Sequence, residues 1–298
     1  MNERGSLLKE LRVFNFPNTR RIRIGSNNDG GYVLLDYELE SIDVIYSYGV
    51  GNNSEFEAMF CEKYNTIARL YDHTIESAPL NKDFLYFKKE GVGGEKTQDK
   101  NTIENHVNEN GDNDKRLLLQ MDVDGAEWDT LLQTPNSVLK LFDQVIIEVH
   151  GLGTDASKAL NGGEVYLASL NKKIRVLKKI NEMFNLYHVH ANTEGSLHYI
   201  GWHKIPDVLE LTYVNKKIEK KPTYSKIIFP TKFDQPNVKG RRDQDLHFWP
   251  FYPGMIHHIF YITSRRNGWK DWKDILRVPY NRIKINLRTI RTMMRLRS

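Results

Sequence analysis

The sequence predicts an α/β protein: a doubly wound, mostly parallel sheet followed by a C-terminal basic helical extension. Three observations predict it. Short apolar runs of strand length alternate with segments of helical spacing from about residue 42 to residue 214, the pattern of strands joined by helical crossovers. Several runs end in glycine, carboxylate or imidazole: Tyr48-Gly-Val-Gly51, Tyr71-Asp72, Asp122-Val-Asp124 and Glu148-Val-His150. In open α/β sheets, the crevice beyond such strand ends is where ligands bind. The rhythm then stops, and the chain finishes in a basic amphipathic stretch.

The elements follow in order. Residues 6–14 predict a short helix, and Asn27-Asn-Asp-Gly-Gly31 a tight turn leading into a strand from Tyr32 to Leu35. Ile42 to Tyr48 reads as a buried strand entering the glycine loop Gly49-Val-Gly51-Asn-Asn53. Ser54 is the expected N-cap of a helix from Glu55 to about Tyr64. Strands are expected at Ile67–Tyr71 and Phe84–Phe87, then a polar loop over 91–115 with one helix near Thr102–Val107. Leu117–Val123 and Val145–Val149 predict two further strands, with a helix after Ala126 between them. Val165, Leu167, Leu170, Ile174, Leu177, Ile180 and Phe184 mark a helix over Glu164–Phe184. Tyr187–His190 is the next strand. Tyr199–Trp202 and Val208–Val214 resemble a closing antiparallel pair. The organisation expected is residues 1–40 as a segment covering the ligand pocket and 41–216 as the core. Residues 217–263 form an aromatic and proline-rich extension, and 264–298 a basic tail.

Composition narrows the function classes. Forty per cent hydrophobic content supports a packed core. Cys61 is the only cysteine, which excludes a disulfide framework and a cysteine-built zinc site and suits a reducing, cytoplasmic compartment. The first residues carry no apolar run of signal-peptide length, and no stretch reaches the length of a spanning helix. The net charge of +5 is uneven. Arg265–Ser298 holds 11 Lys and Arg against 2 Asp and Glu, leaving 32 against 36 elsewhere. A body that is itself slightly acidic argues against nucleic acid as its partner.

A strand entering Gly49-x-Gly51 and then a helix lets backbone approach a nucleotide-like ligand. Asp72 lies 23 residues after Gly49 at the end of the next strand, where it can accept ribose hydroxyls. The third glycine of a dinucleotide fingerprint is missing, and Glu55 in the first helical turn disfavours a pyrophosphate. The pattern suits a ligand with a ribose and a positive group, such as S-adenosylmethionine.

These residues carry a resemblance. The chain resembles the seven-stranded, Rossmann-like class I S-adenosylmethionine-dependent methyltransferases, and within them the FkbM-like and methyltransferase-like-24 type family. The matching pieces are Arg23-Ile-Gly25 with Asp29-Gly-Gly-Tyr-Val33, Tyr46-Ser-Tyr-Gly-Val-Gly51, Asp122-Val-Asp-Gly-Ala-Glu-Trp128 and Glu148-Val-His150. They continue through His188-Val-His-Ala-Asn192, Leu209-Glu-Leu-Thr-Tyr213, Asp234-Gln-Pro-Asn237 and Phe248-Trp-Pro-Phe251. Asp124 stands where the family usually has Glu, and the 91–115 loop is idiosyncratic. The resemblance implies that Gly49, Gly51 and Asn53 meet the methionine end of S-adenosylmethionine, that Asp72 binds its ribose, and that Asp29, Gly31 and Tyr32 fold over the same pocket. It implies an O-methyltransferase that releases S-adenosylhomocysteine and acts on a carbohydrate or related small hydroxylated acceptor, with surface-polysaccharide assembly as a setting.

Methyl transfer to a hydroxyl calls for a positioned base, because a sugar hydroxyl does not ionise at neutral pH. His150 is the first choice and His190 the second, each at a strand end, with Asp122 and Glu148 orienting the base or binding the acceptor. Asp122, Asp124, Glu148 and His150 also offer ligands for magnesium or manganese, but carboxylates at a sheet edge commonly bind no metal, and none is the expectation. In the tail, Ile283, Leu287, Ile290 and Met294 form one stripe beside Lys284, Arg288, Arg291 and Arg295. This helix suits packing on the chain's own body or a second subunit, or the inner face of an anionic membrane. Nucleic acid ranks last. Two alternatives stand beside the leading reading: methylation of a protein or nucleic acid, and a non-catalytic binding module that works through its tail.

Overall fold

Seven strands form one sheet: β1 (Val44–Tyr48), β2 (Ile67–Tyr71), β3 (Leu85–Lys88), β4 (Leu117–Met121), β5 (Phe142–Val149), β6 (Phe184–Ala191) and β7 (Leu209–Asn215). Their spatial order is β6-β7-β5-β4-β1-β2-β3. β3, β2, β1, β4 and β5 are parallel neighbours. β7 runs antiparallel between β5 and β6. The sheet is thus the mixed, mostly parallel one that the sequence predicts. The computed structural model describes residues 3–153, 168–200, 203–218 and 221–252. They lie in the unit Met1–Pro253. The basic tail with its apolar stripe, and the start of the helix expected over Glu164–Phe184, fall outside the described residues. No helix among the described residues is long and apolar enough to cross a membrane.

The period-two alternation of buried strands builds two large cores, with a third, small cluster around Phe16, Leu35, Tyr187 and Val214. Val44, Tyr46 and Tyr48 of β1, with Leu117, Leu119 and Met121 of β4, enter the larger one, which also holds Trp128. Ile45 and Leu118 face the other way onto Phe56 and Phe60. Those two phenylalanines belong to α2 (Glu55–Tyr64), which follows α1 (Glu3–Glu10). α3 (Ile103–Asn110) is capped by Thr102 Oγ1, which accepts from Asn105 N at 3.1 Å, and ends at Gly111 with φ +71°. α4 (Glu127–Gln133), the single turn α5 (Asn136–Leu139) and α6 (Leu170–Met183) complete the α-helices among the described residues. Each buried aromatic side chain of these cores contributes about 1.5–3 kcal/mol, which fixes the strand ends that carry chemistry.

Three sequence expectations need correction. The expected closing pair of strands does not form. Leu197–Ile200 pairs with His203–Pro206 as a separate hairpin, while β7 inserts between β5 and β6. Ser54 makes no side-chain capping bond; Asn53 Oδ1 instead accepts from Glu55 N at 2.9 Å. β4 stops at Met121, so Asp122 and Asp124 lie in the following turn, with Asp124 at φ +50° and Gly125 at φ +103°. The expected strand at Tyr32 does form, as half of a hairpin, Arg20–Gly25 paired with Gly31–Asp36. That hairpin is clipped to the sheet by Gln144, whose Oε1 accepts from Leu35 N at 3.0 Å and whose Nε2 donates to Leu35 O at 2.8 Å.

Candidate functional site

The winding direction reverses between β1 and β4, and two loops meet there. Asp122 N donates to Tyr48 O at 2.9 Å. Gly49, at φ +77°, lies so close to the second loop that a Cβ would sit 1.6 Å from Asp122 O. Glycine is therefore required at 49 both for its backbone angle and for this approach. Gly51, at φ +55°, has nothing within 4 Å of where its Cβ would be. Its N–H donates to Asp72 Oδ2 at 2.9 Å. Asp72 Oδ1 accepts from Thr74 N at 2.7 Å and Thr74 Oγ1 at 2.6 Å. Burial opposes the charge on Asp72, but these bonds from Thr74 and Gly51 outweigh it and hold the carboxyl below its usual range. The glycine loop, Asp72, Thr74 and Lys100 line a cavity of about 440 Å³ whose far wall includes Asp122 and Asp124. A carboxylate offers about four lone-pair sites. Three are taken, so Asp72 has room for one further donor, not the two ribose hydroxyls expected from sequence.

Asp122 and Asp124 also line a second cavity of about 420 Å³, with Glu148, His150, Asn192 and Asn237. Around His150, Nε2 lies 3.3 Å from Glu148 Oε1, 3.6 Å from Asp124 Oδ1 and 3.7 Å from Asp122 Oδ1. Behind it, Nδ1 is 3.6 Å from Glu127 Oε1. Glu127 is fully buried and fixed by two backbone donors, Gly125 N and His150 N, each at 2.7 Å. Burial works against a charged imidazole here, but Glu127 and Glu148 outweigh it and raise the His150 pKa to about 11. Without a cation to displace it, a proton occupies Nε2 at neutral pH, so the ring offers no free lone pair to a substrate proton. Burial, with Glu148 next, pushes the Asp122 carboxyl well above its usual range. Glu148 Oε1 accepts from Asn192 Nδ2 at 3.0 Å.

Of the residues singled out in sequence, Asp122, Asp124, Glu148 and His150 converge on this second cavity, and Gly49, Gly51 and Asp72 on the first. Asp29 lines the second cavity, not the first, where its Oδ1 accepts from Asn237 Nδ2 at 3.4 Å. Gly31, Tyr32 and Asn53 support the loops from behind. Gly31 pairs with Gly25. The Tyr32 hydroxyl accepts from Gln120 Nε2 at 3.1 Å. Asn53 Nδ2 donates to Ser26 Oγ at 3.0 Å. His190 is not brought to the cavity. It is 3% exposed, with Nδ1 at 3.0 Å from Glu210 Oε2 and Nε2 at 2.8 Å from Asp243 Oδ1. Both nitrogens are occupied, so it ties β6 to β7 and to the 240s loop. Glu127, Asn192 and Asn237 are site residues that the sequence reading did not single out. Each lies inside one of the motifs that carry the family resemblance, and Glu127 follows a strand-end acidic cluster, the one signal that marks it.

A family model of the methyltransferase FkbM domain matches residues 14–202, which contain both glycine loop and carboxylate cluster. The chain belongs to the FkbM methyltransferase-domain family. The family makes this FkbM-domain protein a methyltransferase, in agreement with its sheet order and the ligand crevice at the β1–β4 reversal. No curated protein matches it. Among solved structures, a riboflavin biosynthesis protein from Shewanella sp. PV-4 is similar at 12% identity over 65% of this chain and 84% of that one, with a TM-score of 0.24. A likeness of that size carries no argument about this FkbM-domain chain.

Proposed function

We propose that this chain transfers a methyl group from S-adenosylmethionine to a hydroxyl of a carbohydrate or related small hydroxylated acceptor. The observation that carries the reading is that two cavities of similar size share one wall, Asp122 and Asp124. Donor and acceptor held on either side of that wall meet at it, which is the geometric requirement for an in-line displacement.

The first cavity suits the donor. Gly51 presents bare backbone to open space, Asp72 has one lone-pair site left for a ribose hydroxyl, and the shared carboxylates favour a cationic sulfonium. When bound, S-adenosylmethionine supplies a methyl on positively charged sulfur; the S–C bond breaks with its electrons left on sulfur as the new C–O bond forms. The chain's own residues do the rest. Asp29, Glu148, Asn192 and Asn237 offer hydrogen-bond acceptors to the hydroxyls of a sugar-like ring. No Lys or Arg stands among the described residues lining this second cavity, which favours a neutral acceptor ring over an anionic one. The hydroxyl proton leaves through Asp124, whose side chain is 98% exposed and whose Oδ1 is 3.6 Å from His150 Nε2, and passes to water.

The test is a transfer assay with methyl-labelled S-adenosylmethionine against a panel of neutral glycans, matched anionic ones, peptides and oligonucleotides, read by mass spectrometry. One added methyl on a neutral acceptor supports the proposal. Transfer confined to peptides or nucleic acid contradicts the acceptor reading.

A further inference from the structure

A sugar hydroxyl remains a poor nucleophile beside carboxylates alone, and the second cavity contains more negative charge than it balances. Asp122, Asp124 and Glu148 crowd one imidazole, with Glu127 behind it. Like charges so close are costly unless a cation or protons offset them.

We propose that Asp122, Glu148 and His150 Nε2 bind one divalent cation of the manganese or magnesium class, on which the acceptor hydroxyl is seated. This deepens the reading of the cavity as the acceptor site and rests on it for the cation's role, though not for its binding. Three features carry the assignment. First, one donor atom from each of the three residues lies within 4.8 Å of the others. Octahedral coordination with bonds of about 2.1 Å places neighbouring ligands about 3 Å apart and opposite ones about 4.2 Å apart. The distances of 3.3 and 3.7 Å from His150 Nε2 to the two carboxylates close to that spacing with shifts of a few tenths of an ångström.

Second, the Glu148 side chain is 7% exposed. Its Oε1 is engaged by Asn192, while Oε2 accepts no hydrogen bond from any described residue and stands on the cavity wall. A carboxylate side chain buried this deeply needs a cation or a donor to offset its charge. Third, Glu127 stands where a metal-bound histidine keeps its supporting carboxylate. Nδ1 has no hydrogen-bond partner and faces Glu127 Oε1, itself fixed by two backbone donors. With Nε2 on a cation, the Nδ1–H points at Glu127, so the ring is held in the ligating tautomer. Two carboxylates and one imidazole, with the sole cysteine remote on the opposite core, suit manganese or magnesium better than a soft metal. The open coordination positions face the cavity, where an acceptor oxygen bound to the cation becomes a stronger acid next to Asp124.

The test uses the full-length chain stripped of metal by chelator and titrated with Mn2+, with free Mn2+ read by electron paramagnetic resonance. One site per chain is expected, with a directly bound imidazole nitrogen in the spin-echo spectrum of the complex. Glu148→Gln weakens Mn2+ binding at least tenfold while keeping the wild-type affinity for S-adenosylhomocysteine, because Glu148 lines the second cavity and not the first. Asp72→Asn keeps the wild-type Mn2+ affinity. Absence of Mn2+ binding, absence of the nitrogen coupling in wild-type protein, or undiminished binding by a folded Glu148→Gln overturns the site. The nitrogen coupling needs no variant, so a poorly folded Glu148→Gln does not block the test. Mn2+ binding with the nitrogen signature but no methyl transfer to any acceptor leaves the site standing and contradicts the proposed function instead.

Discussion

Replacing Asp72 by Asn separates a ligand-binding carboxylate from a loop staple. In the wild-type chain, Oδ2 holds Gly51 N–H, and Oδ1 holds Thr74 N–H and Thr74 Oγ1–H, at 2.6–2.9 Å. An asparagine keeps one oxygen and turns the other position into a donor. Whichever way the amide is placed, Gly51 N–H or Thr74 N–H then faces an NH₂ group. A buried donor left without a partner costs about 1–3 kcal/mol, and each kcal/mol lowers Tm by roughly 2–4 °C in a chain of this size. A second loss appears only with ligand. The one lone-pair site left on Asp72 forms a charge-assisted bond to a ribose hydroxyl, worth about 1.5–3 kcal/mol. At about 1.4 kcal/mol per factor of ten, S-adenosylhomocysteine should bind roughly 10–150-fold more weakly. Thermal melting reads the first effect and isothermal calorimetry the second. A lowered Tm with unchanged affinity would refute the reasoning: Asp72 would then serve the loop alone, and the donor would lie elsewhere.

Further outcomes follow from the same geometry. Gly49→Ala places a methyl group 1.6 Å from Asp122 O at φ +77°. The left-handed angle alone costs about 1–2 kcal/mol and the clash displaces the β4 turn, so both Tm and S-adenosylhomocysteine affinity should fall; wild-type values for both contradict the packing described. Glu127→Gln leaves either Gly125 N–H or His150 N–H unpaired in a fully buried position, for a loss of about 1–3 kcal/mol measurable by urea denaturation. His150→Ala should lower turnover at least tenfold while S-adenosylhomocysteine affinity stays within about twofold, and comparable losses in both would argue against separate cavities. For pH dependence, burial opposes the Asp234 charge, but the charge interaction with His188, the hydrogen bond from its Nε2, the nearby His190 and the Thr231 N–H together hold its pKa down to about 2. Its ordinary value is 3.8, so the folded state gains about 2 kcal/mol that is fully present above pH ~4 and lost as pH falls through about 2. Stability of Asp234→Asn should therefore change less than wild type over that interval, and parallel acid limbs would contradict the assignment.

The sequence carried the parts of this site that depend on local order. A strand entering Gly-x-Gly has few backbone solutions, and Asp72 at the end of the next strand must lie beside it, so the first cavity was readable from spacing. Asp122, Glu148 and His150 were readable because β4 and β5 are adjacent parallel strands that end together. His190 looked equivalent to His150 by the same strand-end rule. What separates them is long-range: β7 inserts beside β6 and supplies Glu210, and Asp243 arrives from more than fifty residues away. Neither partner follows from a pattern around residue 190. The misplaced closing pair has the same origin, because neighbouring apolar runs read as a hairpin whereas β7 found its partners across the sheet. Asn237 reached the site through a loop that packs on Glu210 at 2.7 Å, a contact without periodicity or spacing to announce it.

A crystal structure of the chain grown with S-adenosylhomocysteine tests the central claim most directly, namely that donor and acceptor occupy two cavities meeting at Asp122. Density is expected in the glycine-loop cavity, with a ribose hydroxyl on Asp72 and the sulfur turned toward the Asp122 and Asp124 wall, and with the carboxylate cavity left open. Density in the carboxylate cavity, or none in the glycine-loop cavity at saturating ligand, would contradict it.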